Sequence, residues 1–192
     1  MNWLAHLYLS EPNPAFRIGN ILPDLVPPSA LAGLPEDYLR GARQHRQIDA
    51  FTDKHPVVRR SIQRLDPSFR KFGGIIVDVF YDHFLAREWH RFSAVPLQTF
   101  ADEVYLSFES LRGEIPPEAY PPLAHMKREN WLHLYHSVAG ITNTLGRIGR
   151  RFRKIVPLEQ AASVLRDQPD SLYADFIEFF PELEAHVRVK SD

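Results

Sequence analysis

Asp78 and Asp82 stand four residues apart in Gly73-Gly-Ile-Ile-Val-Asp-Val-Phe-Tyr-Asp-His-Phe-Leu85, with His83 beside the second. At 100° per residue this segment carries apolar groups all round, which predicts a buried helix with both carboxylates on one face. Burying two like charges together costs several kcal/mol unless a cation or a shared proton compensates, and a metal ion is the simplest compensation. The structural alternative has one carboxylate capping a neighbouring helix or pairing with an arginine, while His83 merely packs.

The segment from Pro35 to Lys54 repeats the pattern. Tyr38, Gly41, Ala42, His45, Ile48, Asp49 and Thr52 fall on one arc of about 120°, whereas Arg40, Arg43, Gln44, Arg46, Gln47 and Lys54 fall outside it. His45 then points inward, and Asp49 lies one turn on, placed to share a metal or orient the imidazole. Asp53 continues the row toward its polar edge. His6, within Trp3-Leu-Ala-His-Leu-Tyr-Leu9, and Asp24, after Gly19-Asn-Ile-Leu-Pro23, are two further candidates. Each also has a plain structural reading, as a packed histidine and a turn or cap residue.

Carboxylates with imidazoles, in a chain without cysteine, suit Mn²⁺, Mg²⁺, Fe²⁺ or Zn²⁺. Such ions activate water, and attack on a phosphoester is the natural reaction class. There is no Gly-rich phosphate loop, nucleophile elbow or dinucleotide fingerprint, which disfavours kinases, serine hydrolases and dehydrogenases. Arg147, Arg150, Arg151 and Lys154 form a stripe if Val138 to Ile155 is helical. That stripe suits an acidic partner or a phosphate, or else is a solvated face paired with the acid-rich tail. Arg43, Arg46, Arg59, Arg60 and Arg64 are candidates for a basic rim near the metal.

Apolar spacings of three and four, without sustained alternation, predict an all-α chain of about seven or eight helices. Prolines mark most boundaries, and helices are expected over Pro35–Lys54, Ser68–Phe92, Leu97–Arg112, Pro122–His136 and Val138–Ile155, with two more between Leu158 and Val187. Phe176, Phe179 and Phe180 should dock the last helix. One domain over residues 1–192 is the economical reading. A net charge of -1 gives no general electrostatic case for nucleic acid. No apolar run reaches the roughly 18 residues of a membrane helix, and the N-terminus lacks signal-peptide features, so a cytoplasmic setting is expected.

Taken in order, Met1-Asn-Trp-Leu-Ala-His-Leu7, Gly19-Asn-Ile-Leu-Pro-Asp24, His45-Arg-Gln-Ile-Asp-Ala-Phe-Thr-Asp53 and Asp78-Val-Phe-Tyr-Asp-His-Phe-Leu85 resemble the acyl carrier protein phosphodiesterase family. The likeness extends more loosely to Phe179-Phe-Pro181. It implies a helical fold like that of the HD phosphohydrolases and Mn²⁺-dependent release of 4'-phosphopantetheine from a serine of holo-acyl carrier protein. It also implies that Asp24 is essential, and that His6, His45, Asp49, Asp78, Asp82 and His83 occupy the family's His/Asp motif positions. Asp82 precedes His83, the reverse of the HD dipeptide. Two other functions remain open on the residues alone: a phosphohydrolase of nucleotides or other small phosphodiesters, and a helical binding module whose His and Asp are structural.

Overall fold

Capping groups and prolines set most of the helix starts. The computed structural model describes residues 1–189. In chain order the helices are α1 (Trp3–Tyr8), α2 (Pro14–Gly19), α3 (Pro28–Leu31), α4 (Glu36–Lys54), α5 (Pro56–Gln63) and α6 (Gly73–Arg87). They continue as α7 (Leu97–Ser110), α8 (Tyr120–Arg128), α9 (Trp131–Leu134), α10 (Val138–Gly149), α11 (Ser163–Asp167) and α12 (Pro169–Val189). No strand occurs among the described residues, and seven of these helices have eight residues or more, so the all-α expectation holds. No described helix is long and apolar enough to cross a membrane.

Asn13, His55 and Ser137 each accept a backbone N–H at a helix start, supplying the partner that first-turn donors lack. α1 is capped from elsewhere. The Asp82 carboxylate on α6 accepts Leu4 N–H at 2.7 Å and Ala5 N–H at 3.1 Å, so a charge inside the apolar helix finds its partners in another helix's open end. α6 is the central element, packed against α1, α5, α10 and α12. From Ile76 to Ala86 every residue but Asp78 is buried.

Several expected helices are shorter than their apolar pattern. The span from Ser68 to Phe92 is α-helical only over Gly73–Arg87 and is flanked by 3-10 turns at Arg70–Phe72 and Trp89–Arg91. The span from Pro122 to His136 breaks at Asn130, whose φ of 49° is left-handed. The helix expected over Val138–Ile155 ends at Gly149, where the chain folds back and Val156 N–H donates to the Gly149 carbonyl. Pro181 lies inside α12 rather than at a boundary. α5 was hidden in the sequence between two prolines.

α12 docks through its phenylalanines as expected, with Phe176, Phe179 and Phe180 fully buried. It is also pinned by an ion-pair node: buried Asp175 accepts Arg60 Nε at 2.7 Å, Arg64 Nε at 2.8 Å and Ser61 Oγ at 2.8 Å. Arg60 and Arg64 are therefore structural rather than part of a basic rim, and Arg43 is engaged by Glu36. Arg43 and Arg46 both line a surface groove, beside Phe51 and Lys54.

α2 and α4 cross at two glycines. A Cβ on Gly19 would lie 2.2 Å from the Tyr38 carbonyl oxygen, and one on Gly41 would lie 2.1 Å from that of Phe16, so no side chain fits on either. The crossing sets the end of α2 against the inward face of α4. Gly41→Ala is expected to destabilise the protein by about 3 kcal/mol through forced separation of the two backbones. Urea denaturation checks this, and an unchanged midpoint would contradict it.

Candidate metal centre

Three elements meet where α2 ends. His6 comes from α1, His45 and Asp49 from α4, and Asn20 is the residue after α2. The two imidazoles stack with centroids 4.3 Å apart and planes 19° from parallel. His6 Nδ1 lies 3.1 Å from the Asn20 side-chain oxygen, and His45 Nδ1 lies 2.7 Å from the Asn20 carbonyl oxygen. Asn20 is fully buried, and its amide nitrogen donates to the His6 carbonyl at 2.9 Å and to Gln44 Oε1 at 2.6 Å. The amide orientation is therefore set by its acceptors.

An oxygen of that kind only accepts, so both Nδ1 atoms carry a proton, and in the neutral form of each ring Nε2 is the atom with the lone pair. Both Nε2 atoms face one carboxylate, and that of His6 lies in addition 3.1 Å from the Met1 carbonyl oxygen. His45 Nε2 is 3.0 Å from Asp49 Oδ2, and His6 Nε2 is 3.2 Å from Asp49 Oδ1. A lone pair beside a carboxylate oxygen is repulsive unless a proton or a cation lies between them. Burial lowers the pKa of His6, as does the neighbouring imidazole. Burial also acts to lower that of His45, but Asp49 and Asp24 outweigh it and the net direction is up. Burial pushes Asp49 up, yet the two imidazoles and the Met1 ammonium hold it well below the usual carboxylate range. Among the described residues, His6, His45 and Asp49 are the group whose ligand atoms all lie within 4.8 Å of one another. Two imidazole nitrogens and a carboxylate fit a divalent transition ion, with the Nδ1 hydrogen bonds fixing ring orientation as metal-ligating histidines require.

Asp24 and Asp78 border this cluster. Asp24 Oδ1 is 3.6 Å from His45 Nε2, and Trp3 Nε1 donates to its Oδ2 at 2.8 Å. The Met1 ammonium lies 3.3 Å from Asp49 Oδ1 and 3.2 Å from Asp78 Oδ1. That second contact is an ion pair without hydrogen-bond alignment, so Asp78 Oδ1 is a buried oxygen with no donor aimed at it. Burial pushes the Asp78 carboxyl up. Asp24, Asp49, Asp53 and Asp78 line one cavity of about 290 Å³.

Asp82 and His83 stand outside it. Asp82 spends both oxygens on the start of α1, and His83 Nδ1 lies 2.8 Å from the Tyr135 carbonyl oxygen. Neither lines the cavity. The capping alternative is the one the structure shows for Asp82, because a helix end offered two unpaired N–H groups where a metal would have had to displace them.

The basic stripe is divided in the same way. α10 ends at Gly149, so Arg147, Arg150, Arg151 and Lys154 do not share a helix face; Arg147 and Arg151 line the cavity, whereas Arg150 and Lys154 lie exposed outside it. Asn20, Gln44 and Trp3 were missed as site residues. Asn20 is the C-cap of α2, a helix the sequence pattern did not reveal, and Gln44 falls on the polar side of the α4 wheel. Only the α2–α4 crossing makes them partners.

If the cluster holds a divalent cation, Asn20→Ala is expected to weaken its binding by about 10–100-fold without removing a metal contact, because both rings lose their orienting acceptor or its anchor. Titration calorimetry checks this, and wild-type affinity would contradict it. A second test concerns Asp82, whose carboxyl burial pushes up to about 7 from 3.8, against the pull of the Leu4 and Ala5 N–H groups. The folded protein then holds the extra proton between about pH 4 and pH 7, so this group's stabilisation is full at the acid end and is lost as pH rises. Asp82→Asn cannot ionise. In metal-free protein, its melting temperature relative to wild type is expected to rise across that window, and a flat difference would contradict the assignment.

A profile of the acyl carrier protein phosphodiesterase family matches residues 1–183. Curated proteins named acyl carrier protein phosphodiesterase from Salmonella agona, Salmonella newport and Salmonella heidelberg are each 30% identical over 192 residues, which is 100% of this chain and 100% of theirs. No solved structure matches the chain significantly. A match over nearly all its length, together with full-length relatives, places the chain: it belongs to the acyl carrier protein phosphodiesterase family.

Proposed function

We propose that the chain is a single-domain, metal-dependent phosphodiesterase that hydrolyses the bond between 4'-phosphopantetheine and the serine of holo-acyl carrier protein, giving apo-carrier and free 4'-phosphopantetheine. The observation that carries the chemistry is the pair of stacked imidazoles whose Nε2 atoms converge on Asp49 at the edge of a carboxylate-lined cavity. The substrate follows from family membership.

His6, His45 and Asp49 would hold the cation, with Asp24 and Asp78 as neighbouring carboxylates. When bound, the ion supplies Lewis acidity toward a phosphoryl oxygen and acidifies water. Mn²⁺ is the first choice, with Fe²⁺ and Mg²⁺ as alternatives; two imidazoles among three donors weigh against Mg²⁺. Asp24 is the proton acceptor. Trp3 fixes its Oδ2, and its Oδ1 faces His45 at the cavity, where it can take the proton of the incoming water. His45 and Asp49 orient that step from α4. An HD-hydrolase-like ancestry is supported by the His/Asp donor chemistry, although Asp82-His83 itself takes no part in it.

Arg150 and Lys154, exposed outside the cavity lining, supply positive charge that would steer an acidic carrier protein. A net charge of -1 argues against nucleic acid as a partner. A cytoplasmic setting accords with the substrate.

Incubation of the full chain with holo-acyl carrier protein and Mn²⁺ tests the proposal by mass spectrometry. The expected result is loss of phosphopantetheine from the carrier, slowed about 100-fold or more by Asp24→Asn. An unaltered carrier, alongside turnover of small phosphodiesters, would reject the substrate, and no hydrolysis of either would reject the chemistry.

A further inference from the structure

Arg147 is a guanidinium in an unusual position. Its side chain is 17% exposed, its Cζ sits 3.8 Å over the Trp131 ring, and its Nη2 donates to Thr144 Oγ1 at 2.9 Å. The nearest carboxylate oxygen, Glu129 Oε2, is 3.6 Å from Nη1, beyond hydrogen-bond reach, and already accepts Trp131 Nε1 at 2.7 Å. A cation held largely out of water on an aromatic face, with a hydroxyl as its one hydrogen-bonded partner, leaves most of its donors unspent. They belong to a side chain lining the 290 Å³ cavity, and Arg151, with no ion pair among the described residues, lines the same cavity at its exposed side.

The remaining charged lining is the acidic cluster around Asp49 together with the Met1 ammonium, which is already engaged by Asp49 and Asp78. One cavity therefore carries carboxylates suited to a cation and guanidiniums suited to an anion. A phosphodiester needs both, since its non-bridging oxygens present two acceptor positions and planar guanidinium forks match them. The two halves are mechanically joined: Trp131, which carries Arg147, stacks on Trp3 at 5.8 Å, and Trp3 holds Asp24.

We propose that Arg147 and Arg151 form a phosphate subsite that takes the phosphoryl group of the 4'-phosphopantetheine ester inside the catalytic cavity, and are not part of the surface that docks the carrier protein. This inference rests on the phosphodiesterase reading for the identity of its ligand. Arg151 sets the approach, and Arg147, backed by Trp131, sets the depth.

Calorimetric titration of the Mn²⁺-loaded full chain with free 4'-phosphopantetheine, and with pantetheine lacking the phosphate, tests it. Arg147→Gln and Arg151→Gln are each expected to weaken 4'-phosphopantetheine at least tenfold while leaving pantetheine binding unchanged. Exposed Arg153→Gln should alter neither. Arg151 sits at the rim, so its variant keeps the test valid if Arg147→Gln folds poorly, and Arg147→Lys should recover part of the affinity by restoring charge without the fork. Equal affinities in variant and wild type, or equal losses for both ligands, would overturn the subsite. Failure of the two readings can be told apart. Arginine-dependent binding without release of phosphopantetheine from holo-carrier would remove the activity and keep the subsite. Normal turnover with both arginines replaced would do the reverse.

Discussion

One residue orients both imidazoles. Asn20 presents its side-chain oxygen to His6 Nδ1 and its carbonyl oxygen to His45 Nδ1, and so turns both Nε2 atoms toward Asp49. Buried polar groups are tolerated when every member of a network is paired. Here the Nδ1 side is paired within the protein, while the Nε2 side is left with like-natured acceptors that a cation would reconcile. Asp49, on which the Nε2 atoms converge, lines the cavity, where a ligand can relieve the electrostatic cost.

The fold is arranged around keeping that hold. Gly19 and Gly41 let α2 and α4 touch backbone to backbone, which brings the Asn20 carbonyl within 2.7 Å of a ring on the other helix. α1, too short to be stable alone, is fixed by the Asp82 carboxylate at its start and so presents His6 at the right depth. The two acids of α6 have thus separated in role. Asp82 is an internal helix cap, and Asp78, one turn earlier, faces the cavity.

Much of this was legible in the sequence for identifiable reasons. The inward arc of α4 declared His45 through period 3.6, and the all-round apolar α6 declared its own burial. The Asp82 carboxylate was rightly read as needing compensation, but the sequence alone gives no way to tell a metal from a helix end, because both present positive potential to a carboxylate. The basic run after Ile141 was legible as charge. Its division was not, because it depends on α10 stopping at Gly149, where a backbone bond from Val156 replaces the next helical turn. Asn20 was invisible for a similar reason: only the crossing of α2 with α4 turns its two oxygens into ring acceptors. Arg60 and Arg64 read as candidates for a basic rim near the metal until α12 brings Asp175 against them.

The convergence of His6, His45 and Asp49 on one divalent cation is the claim on which both the chemistry and the division of the cavity depend. Anomalous diffraction at the manganese edge, from crystals of the full chain grown with Mn²⁺, addresses it directly. The expected result is a single strong peak, or the stronger of two, within bonding distance of the Nε2 atoms of both histidines and of an Asp49 oxygen. A peak held by Asp82 and His83 instead, or none at the imidazole pair, would contradict it.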